Sequence, residues 1–436
     1  MKLQGTMQIN DQGHLEIGGC DTVDLAATFG TPLMIIDEAL LREKCREYYQ
    51  AFTQNGGGQV FYASKALLTT ALARIIEDEG LGLDVVSGGE LTIALAAGFP
   101  PQRMLMHGNN KSPAELKMAL NCGVGRIVID NYNELELLEQ ISTDTGYHPS
   151  VLLRLTPGVD AHSHAYISTG QIDSKFGFNV FGGEAMRAVE RVLKSTHLQL
   201  QGVHCHIGSQ ISDLNAFRCA AQVMMDFLQD ARQETGWTAE ELDLGGGLGV
   251  YYSSGDIPPS IEAYAEVIKQ AVAEKCDEYD FPKPRLFVEP GRSIISPPGT
   301  TLYTIGSSKE IPGVRRYVAV DGGMTDNPRP ALYQAIYEGI IANKADDCVQ
   351  EEVAITGRCC ESGDMLIWDL PVPAIEPGDL LAVSCTGAYN YSMSSNYNAL
   401  RRPAVVLVSD GHADVIVKRE TWGDLIRLHC IPERLY

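Results

Sequence analysis

The sequence predicts an α/β protein in which a (β/α)8 TIM-like barrel is combined with a smaller antiparallel β domain. The first observation is that eight apolar, strand-like runs alternate with helical patterns up to about residue 292. Eight alternations over roughly 235 residues are typical of a closed barrel, whereas a doubly wound open sheet rarely needs eight regular units. The second observation is that helix periodicity becomes scarce after Pro290, where short strand-like runs appear between Pro and Gly residues. The eight predicted barrel strands are 59–65, 81–87, 103–108, 126–130, 150–155, 200–208, 241–245 and 285–289.

Helix-start signals follow several of these strands. Ser87-x-x-Glu90 and Ser112-x-x-Glu115 each predict a capping box, in which serine and glutamate satisfy each other's backbone N–H groups. Asn131 predicts a further N-cap just after the fourth strand. These signals place helices directly behind strands, as the barrel requires.

The remaining residues predict one β domain built from both ends of the chain. Residues 31–37 are apolar and strand-like, and they are expected to join the sheet that follows the barrel. We therefore predict the barrel at residues 38–292 and the β domain at residues 1–37 and 293–436. One helix is predicted near residues 331–342. The predicted strands of this domain are Thr301–Ile305, Arg316–Val320, Glu352–Thr356, Leu380–Ser384, Ala404–Val408 and Asp414–Lys418.

Composition argues against several classes of partner. The chain has 34 basic and 56 acidic residues and a net charge of -22, which opposes binding to nucleic acid or to an anionic membrane. No apolar run is long enough for a membrane span, and the first residues do not resemble a signal peptide. The 11 cysteines are an odd number without Cys-x-x-Cys, which favours reduced thiols in the cytoplasm over disulfides or a zinc site.

Polar side chains and glycines gather at the predicted carboxyl ends of the barrel strands, where such barrels place their chemistry. Lys65 ends the first strand, so we expect a buried amine that can act as a nucleophile. A glycine triplet follows the seventh strand, where barrels often bind a phosphate through bare backbone N–H groups. The groups at these ends are Lys65, Asp84, His107, Arg154, His204, His206, Gly245, Gly246, Gly247, Glu289 and Arg292.

Taken singly, these groups have simpler interpretations, such as a surface lysine, a flexible turn and a loop-capping carboxylate. Taken together, an amine, a phosphate loop, a stacking imidazole and a carboxylate facing a ring nitrogen predict a pyridoxal 5'-phosphate site. A nicotinamide cofactor would favour Gly-x-Gly-x-x-Gly in the first βα unit, where it is absent. His204 and His206 share a face, but further ligands with suitable spacing are lacking, so no metal site is predicted.

The ordered motifs from about Thr31 to the C-terminus resemble those of the alanine-racemase-type (fold type III) pyridoxal phosphate decarboxylases, specifically the diaminopimelate decarboxylases. The later motifs distinguish that group from ornithine and arginine decarboxylases. The motifs are FYASKA at 61–66, HGNNKS at 107–112, HCHIGSQI at 204–211, LDLGGGLG at 242–249, EPGR at 289–292, VDGGM at 320–324, RPALY at 329–333, CESGD at 360–364 and GAYNYSMSSNYN at 387–398.

The resemblance implies a role for each matching residue. Lys65 would bind the cofactor covalently, His206 would stack on its ring, and Glu289 would pair with its pyridine nitrogen. Cys360 would protonate the carbanion left after CO2 loss, and it would come with Glu361 from the partner subunit of a dimer. The implied cofactor-binding residues are Lys65, Asp84, His206, Ser209, Gly246, Gly247, Glu289, Gly291, Arg292 and Tyr389. The implied substrate-binding residues are Arg292, Arg329, Tyr333, Glu361 and Tyr389.

The function implied is decarboxylation of meso-2,6-diaminopimelate to L-lysine and CO2, the last step of lysine biosynthesis. The expected form is a cytoplasmic homodimer whose β domain completes the active sites and the dimer interface. One alternative is a related basic amino-acid or carboxy-polyamine decarboxylase, although such a substrate needs no arginine for a distal carboxylate. A racemase is another, although it needs a second acid–base residue on the opposite face. The non-enzymatic alternative is a pyridoxal phosphate carrier or a regulatory pseudo-enzyme.

Overall fold

The computed structural model describes residues 1–54, 57–159 and 174–436, which form two compact units. The barrel unit consists of Arg42–Val250 and Ile257–Ile294, and the β unit consists of Met1–Leu41, Tyr251–Asp256 and Ile295–Tyr436. The short segment Tyr251–Asp256 belongs to the β unit although it lies between two barrel strands in sequence, and nothing in the sequence pattern had indicated this. The predicted domain boundaries themselves stay a prediction.

Eight parallel strands form the barrel, in the order of the sequence. The eighth strand pairs with the first, through Phe287 opposite Gln59 and Val288 opposite Val60, so the sheet is closed. This closure confirms the predicted barrel and excludes the open doubly wound sheet. The strands are Gln59–Ala63, Gly82–Val85, Met104–Met106, Arg126–Ile129, Ser150–Thr156, Gln199–Cys205, Glu241–Asp243 and Arg285–Val288.

Apolar side chains fill the barrel interior, which is therefore a packed core and not a pore. Phe61, Leu105 and Phe287 form one buried cluster, and the two phenylalanine rings meet edge-to-face with centroids 5.2 Å apart. Most strands end one to three residues earlier than predicted, so the polar groups that follow them lie in loops at the carboxyl ends.

The barrel helices begin at the predicted caps, with one difference. Ser112 and Glu115 form the full capping box. The Ser87 side chain accepts a hydrogen bond from the Glu90 backbone N–H, but the Glu90 carboxylate accepts from the N–H of Val86 instead of completing a box. Asn131 caps its helix as predicted. The helices are Glu38–Tyr48 (continued as a π-helix at Tyr49–Gln54), Thr70–Asp78, Gly88–Ala96, Pro113–Cys122, Tyr132–Thr145, Glu184–Leu193, Leu214–Thr235, Ile261–Tyr279 and the short Arg292–Ile295.

The β unit contains a mixed sheet that takes in the N-terminal segment. Leu33–Asp37 pairs antiparallel with Gly299–Ile311 and parallel with Ala404–Ser409, which confirms the predicted place of this segment. Most other pairs are antiparallel, and Arg315–Val320 with Glu351–Thr356 is a second parallel pair. The remaining strands of this sheet are Gly339–Ile341, Met365–Val372, Leu380–Ser384 and His412–Val417.

The helix predicted near residues 331–342 is wrong in extent. A helix covers only Arg329–Tyr333, and Gly339–Ile341 is a strand that pairs with Leu380–Ser384. Gln334 ends the helix with φ +53°, a left-handed conformation that stops helical hydrogen bonding. The N-terminal residues add a three-stranded sheet and a helix, and the C-terminal residues add a short helix. These elements are Gln8–Ile9, Leu15–Ile17, Cys20–Asp21, Thr22–Phe29 and Trp422–Ile426.

Within the described residues, every helix is too short or too polar to cross a membrane.

Candidate active site

Lys65 and Asp84 form an ion pair at the carboxyl ends of the first two barrel strands. The Lys65 Nζ lies 2.7 Å from Asp84 Oδ2, and the Asp84 side chain is fully buried. Asp84 Oδ1 has no hydrogen-bond partner among the described residues. The Lys65 side chain is 39% exposed, so this amine is less buried than expected from the sequence. An amine oriented by a buried carboxylate and open on one side is suited to bind a carbonyl compound.

Glu289 follows the eighth strand and is held by two histidines. Its Oε1 lies 2.5 Å from His107 Nε2 and its Oε2 lies 3.1 Å from His204 Nε2, and all three side chains are buried. Their ligand atoms lie within 4.8 Å of one another, a spacing that would also suit a metal ion. The two hydrogen bonds to Glu289 account for the grouping without an ion, and the predicted absence of a metal stays a prediction. Sequence reasoning placed His107 and His204 at strand ends but missed their contact with Glu289.

The predicted phosphate loop follows the seventh strand and consists of glycines in positions that a side chain would obstruct. A Cβ atom at Gly246 would collide with the carbonyl oxygen of Glu289, and one at Gly247 would lie 2.5 Å from the carbonyl oxygen of Gly208. The backbone N–H groups of Gly247 and Gly291 have no hydrogen-bond partner in the part of the chain that the structure describes. Bare N–H groups of this kind bind anions.

Polar side chains accompany this glycine loop. Ser209 Oγ accepts hydrogen bonds from Nε and Nη2 of Arg292, at 3.0 and 2.9 Å. The backbone N–H of Gly246 donates to Nδ1 of His206 at 3.3 Å. Burial lowers the pKa of His206 well below its usual value, so this imidazole is neutral at pH 7. The structure thus brings Ser209 to Arg292 and His206 to the glycine loop.

A second buried lysine, Lys111, lies after the third strand in the HGNNKS motif. Its Nζ donates to the carbonyl oxygens of Gly108 and Val128 at 2.8 and 2.6 Å, and to Glu134 Oε1 at 2.6 Å. All three of its protons therefore have acceptors within the protein, which makes it unsuited to bind a cofactor. Sequence reasoning had used Lys111 only as part of a motif.

In the β unit, the Arg329 guanidinium is packed between two tyrosines. It lies 4.7 Å from the ring centroid of Tyr252 and 5.5 Å from that of Tyr337, and its Nη1 donates to the Tyr337 hydroxyl at 2.5 Å. Burial raises the pKa of Tyr337 to about 12, so this hydroxyl does not neutralise the guanidinium. Arg329 is buried, yet no carboxylate lies within ion-pair distance of it among the described residues. A buried cation of this kind is suited to receive an anionic group.

Neither tyrosine of this cage was predicted. Tyr252 lies in the segment Tyr251–Asp256, which the sequence pattern assigned to the barrel. Tyr337 lies in the part of the predicted helix that is not helical. The apolar run that follows Gly339 could have revealed a strand in place of that helix.

The other predicted residues of the β unit occupy less buried positions. The side chains of Cys360 and Glu361 are exposed, and the Cys360 backbone N–H donates to Asn398 Oδ1 at 2.8 Å. Tyr333 and Tyr389 are partly buried, and Tyr389 has a φ of +59°, a conformation that costs a non-glycine residue energy. The neighbouring Cys359 has a pKa raised to about 12 by burial and by Asp364.

The barrel groups fit pyridoxal phosphate. Lys65 supplies an amine, the bare N–H groups of Gly247 and Gly291 with Arg292 suit a phosphate, and Glu289 suits the protonated ring nitrogen. Asp84 Oδ1, which has no hydrogen-bond partner in the described part of the chain, is a further polar atom available to a ligand.

Comparisons with known proteins agree with this geometry. Residues 38–296 match the family model described as the pyridoxal binding domain of pyridoxal-dependent decarboxylases, and residues 293–387 match that of the C-terminal sheet domain. This confirms pyridoxal phosphate as the predicted cofactor.

Three relatives are informative. The diaminopimelate decarboxylase of Bacillus subtilis is 54% identical over 429 residues, covering 98% of both chains. Solved structures of the enzyme of that name from M. jannaschii, one of them in co-complex with L-lysine, are 36% identical and cover 99% of both chains with a TM-score of 0.92. The lysine/ornithine decarboxylase of Vibrio vulnificus, at 23% identity and a TM-score of 0.76 over 89% of this chain and 98% of that one, shares the fold. The chain therefore belongs to the pyridoxal-dependent decarboxylase family, and within it to the diaminopimelate decarboxylases.

Proposed function

We propose that this enzyme decarboxylates meso-2,6-diaminopimelate to L-lysine and CO2, the last step of lysine biosynthesis. The observation that carries the substrate choice is the buried guanidinium of Arg329. It has no carboxylate partner among the residues that the structure describes, and it suits a second substrate carboxylate. The near full-length similarity to the Bacillus subtilis enzyme supports the same reaction. L-lysine, which is bound in one structure of the M. jannaschii relative, would be its product.

In the barrel unit, each residue has a distinct task. Pyridoxal phosphate, when bound, supplies an electron sink for the electron pair that CO2 leaves behind on the α-carbon. Lys65 would hold the cofactor through Nζ, and Asp84 orients that amine. Glu289 would hold a proton on the pyridine nitrogen, and His206 would stack on the ring. Ser209, Gly246, Gly247, Gly291 and Arg292 would bind the phosphate.

In the β unit, the remaining residues recognise the substrate. Arg329 and Tyr333 bind the distal carboxylate, and arginine is the side chain best suited to do so in a bidentate manner. Glu361 binds the distal ammonium group. Tyr389 contributes its hydroxyl to the phosphate and the substrate, and Arg292 also contacts substrate.

We also propose that the enzyme is a homodimer with shared active sites in the cytoplasm. Cys360 and Glu361 would serve the site of the partner subunit, with Cys360 Sγ delivering a proton to the α-carbon. The exposure of both side chains is compatible with a role across an interface. All eleven cysteines are free thiols, as is usual for proteins of a reducing compartment.

The substrate is tested by measuring CO2 release from meso-diaminopimelate, L-lysine, L-ornithine and L-arginine. We expect kcat/KM for diaminopimelate to exceed that for lysine by roughly 100-fold or more, because lysine leaves the arginine unpaired. Arg329→Ala should lose most of this preference. The control Arg316→Ala, at a partly exposed arginine of the β unit paired with Glu351, should keep it. Comparable values for lysine and diaminopimelate would refute the substrate, and bound cofactor without CO2 release would indicate a carrier.

The shared site is tested by complementation. Lys65→Ala and Glu361→Ala chains should each be inactive alone. A mixed dimer would have one site with both lesions and one with neither, so activity should return after subunit exchange. Exchanged heterodimers that stay inactive would show that both residues serve the same chain.

A further inference from the structure

Both oxygens of the Glu289 carboxylate are hydrogen-bonded to side chains of the protein itself. His107 follows the third strand, His204 lies in the sixth and Glu289 follows the eighth, so three separate strand ends converge on this contact. The two imidazole rings meet edge-to-face with centroids 4.8 Å apart. Because each ring contacts a different oxygen, the carboxylate cannot rotate without breaking a hydrogen bond.

The protonation of His204 follows from its surroundings. Burial lowers the pKa of His204 to about 4, so the ring is neutral at pH 7. Its Nδ1 is buried and has no hydrogen-bond partner among the described residues, whereas its Nε2 faces the carboxylate. A neutral imidazole carries one N–H, and here that proton belongs on Nε2, where it donates to Glu289.

A second carboxylate, Asp243, adds to the electrostatics of this cluster. Burial raises the pKa of Asp243 well above its usual value, and the charge of Glu289 raises it further. Burial alone would also raise the pKa of Glu289, but its interactions with His107 and His204 outweigh this and hold that pKa well below its usual value. The two pKa shifts run in opposite directions, so Glu289 is the stronger acid of the pair and the one that holds a negative charge more readily.

We propose that His107 and His204 are positioning residues that clamp both oxygens of Glu289 and keep it ionised toward the pyridine nitrogen of the cofactor. The proposal rests on the proposed function, because it takes Glu289 as the partner of that nitrogen. It assigns to the two histidines a role that neither the motifs nor the expected roles of the site residues include. Replacing these histidines should therefore change cofactor binding and activity only when the cofactor contains the ring nitrogen.

The test compares pyridoxal phosphate with its 1-deaza analogue, in which C–H replaces the ring nitrogen. Dissociation constants of both cofactors are measured by absorbance and fluorescence on apoprotein. The wild type should bind pyridoxal phosphate at least about tenfold more tightly than the analogue, since a shift of one pKa unit corresponds to a factor of ten. His107→Phe and His204→Phe, which keep ring volume but remove the donor, should lose most of this preference.

Matched variants separate the clamp from general packing. His107→Gln and His204→Gln keep an N–H donor and should keep the preference for the ring nitrogen. In activity assays, the Phe variants should lower kcat with pyridoxal phosphate at least about tenfold, with KM nearly unchanged. With the deaza analogue they should be as active as wild type, whereas a packing defect would reduce both.

The outcomes distinguish this proposal from the function on which it rests. If the Phe variants keep the wild-type preference for pyridoxal phosphate, the clamp is refuted while Glu289 keeps its role. If wild type itself binds both cofactors equally, the role of Glu289 is refuted as well. Should the Phe variants fail to fold, 15N NMR of wild-type apoprotein still decides, because His204 must carry a proton on Nε2 at pH 7. A neutral ring with its proton on Nδ1 could not donate to Glu289 and would overturn the clamp.

Discussion

Two lysine–carboxylate pairs near the carboxyl ends of the barrel strands have nearly equal lengths but different roles. Lys65 and Asp84 are 2.7 Å apart, and Lys111 and Glu134 are 2.6 Å apart. The Lys65 side chain is 39% exposed, whereas that of Lys111 is 1% exposed. Lys111 also donates to two backbone carbonyls, which joins the loop after the third strand to the fourth strand. Distance alone therefore does not identify a reactive amine; access and the number of competing acceptors do.

Electrostatics adds to the contrast. Burial lowers the pKa of Lys111 and raises that of Glu134, and the attraction between the two charges opposes both shifts. A buried pair of this kind has a structural role, because breaking it leaves an uncompensated charge in the protein interior. The Lys65 pair has an open side, so the amine can exchange its partner for a cofactor. Four experiments test this difference, in order of decreasing expected effect.

The largest effect is expected at Lys65. Lys65→Arg keeps a positive charge toward Asp84 but lacks a primary amine, so activity should fall at least about a thousandfold. The free energy of unfolding should stay within about 1 kcal/mol of wild type, because the ion pair is retained. Reduction of the wild-type holoenzyme with borohydride should attach the cofactor to Lys65, as located by peptide mass spectrometry. A label on Lys111 would reverse the comparison.

Lys111→Met should act on stability instead. Removing this amine leaves Glu134 buried without its partner and two carbonyls without a donor, which should lower the free energy of unfolding by about 3–5 kcal/mol. Adding Glu134→Gln should recover part of this loss, because the unpaired charge is gone. Urea unfolding of apoprotein measures both variants. A loss below 1 kcal/mol in Lys111→Met would show that the pair is not structural.

A pH titration tests the buried histidine His204, which contacts Glu289. The folded-state pKa of His204 is about 4, below the unfolded value of roughly 6.5. The unfolded chain therefore binds this proton first, and stability falls as pH decreases from about 6.5 toward 4, by up to about 3 kcal/mol. His204→Gln should flatten this slope in urea unfolding between pH 7 and 4. An unchanged slope would place the titration elsewhere.

The smallest effect is expected at the helix start beside Lys111. Ser112→Ala removes the capping box and should cost about 1 kcal/mol, whereas Ser112→Gly should cost only a few tenths. Activity should not change in either variant if the loop is held mainly by Lys111. A large loss of activity in Ser112→Ala would show that the cap, and not the buried lysine, fixes this loop.

The sequence predicted the elements whose signals are local. Apolar runs located all eight barrel strands, and Ser112 and Asn131 marked helix starts, because these depend on neighbouring residues. The contact of His107 with Glu289 joins residues 182 positions apart, and no local sequence pattern predicts it. Likewise, no sequence pattern around Tyr252 indicates that this residue belongs to the β unit and not to the barrel. The cofactor was predictable because its chemistry needs a rare set of groups, whereas the clamp around Glu289 depends on packing.

The interleaved route of the chain has a consequence for the order of synthesis. The strand Leu33–Asp37 is translated before the whole barrel, yet its two sheet partners, Gly299–Ile311 and Ala404–Ser409, are translated after it. This apolar strand therefore lacks its partners while some 260 further residues are added, which takes tens of seconds at about 5–20 residues per second. During that time it is an exposed edge, which is a hazard for aggregation. Rapid closure of the barrel cannot shorten this wait, because the missing strands have not yet been made.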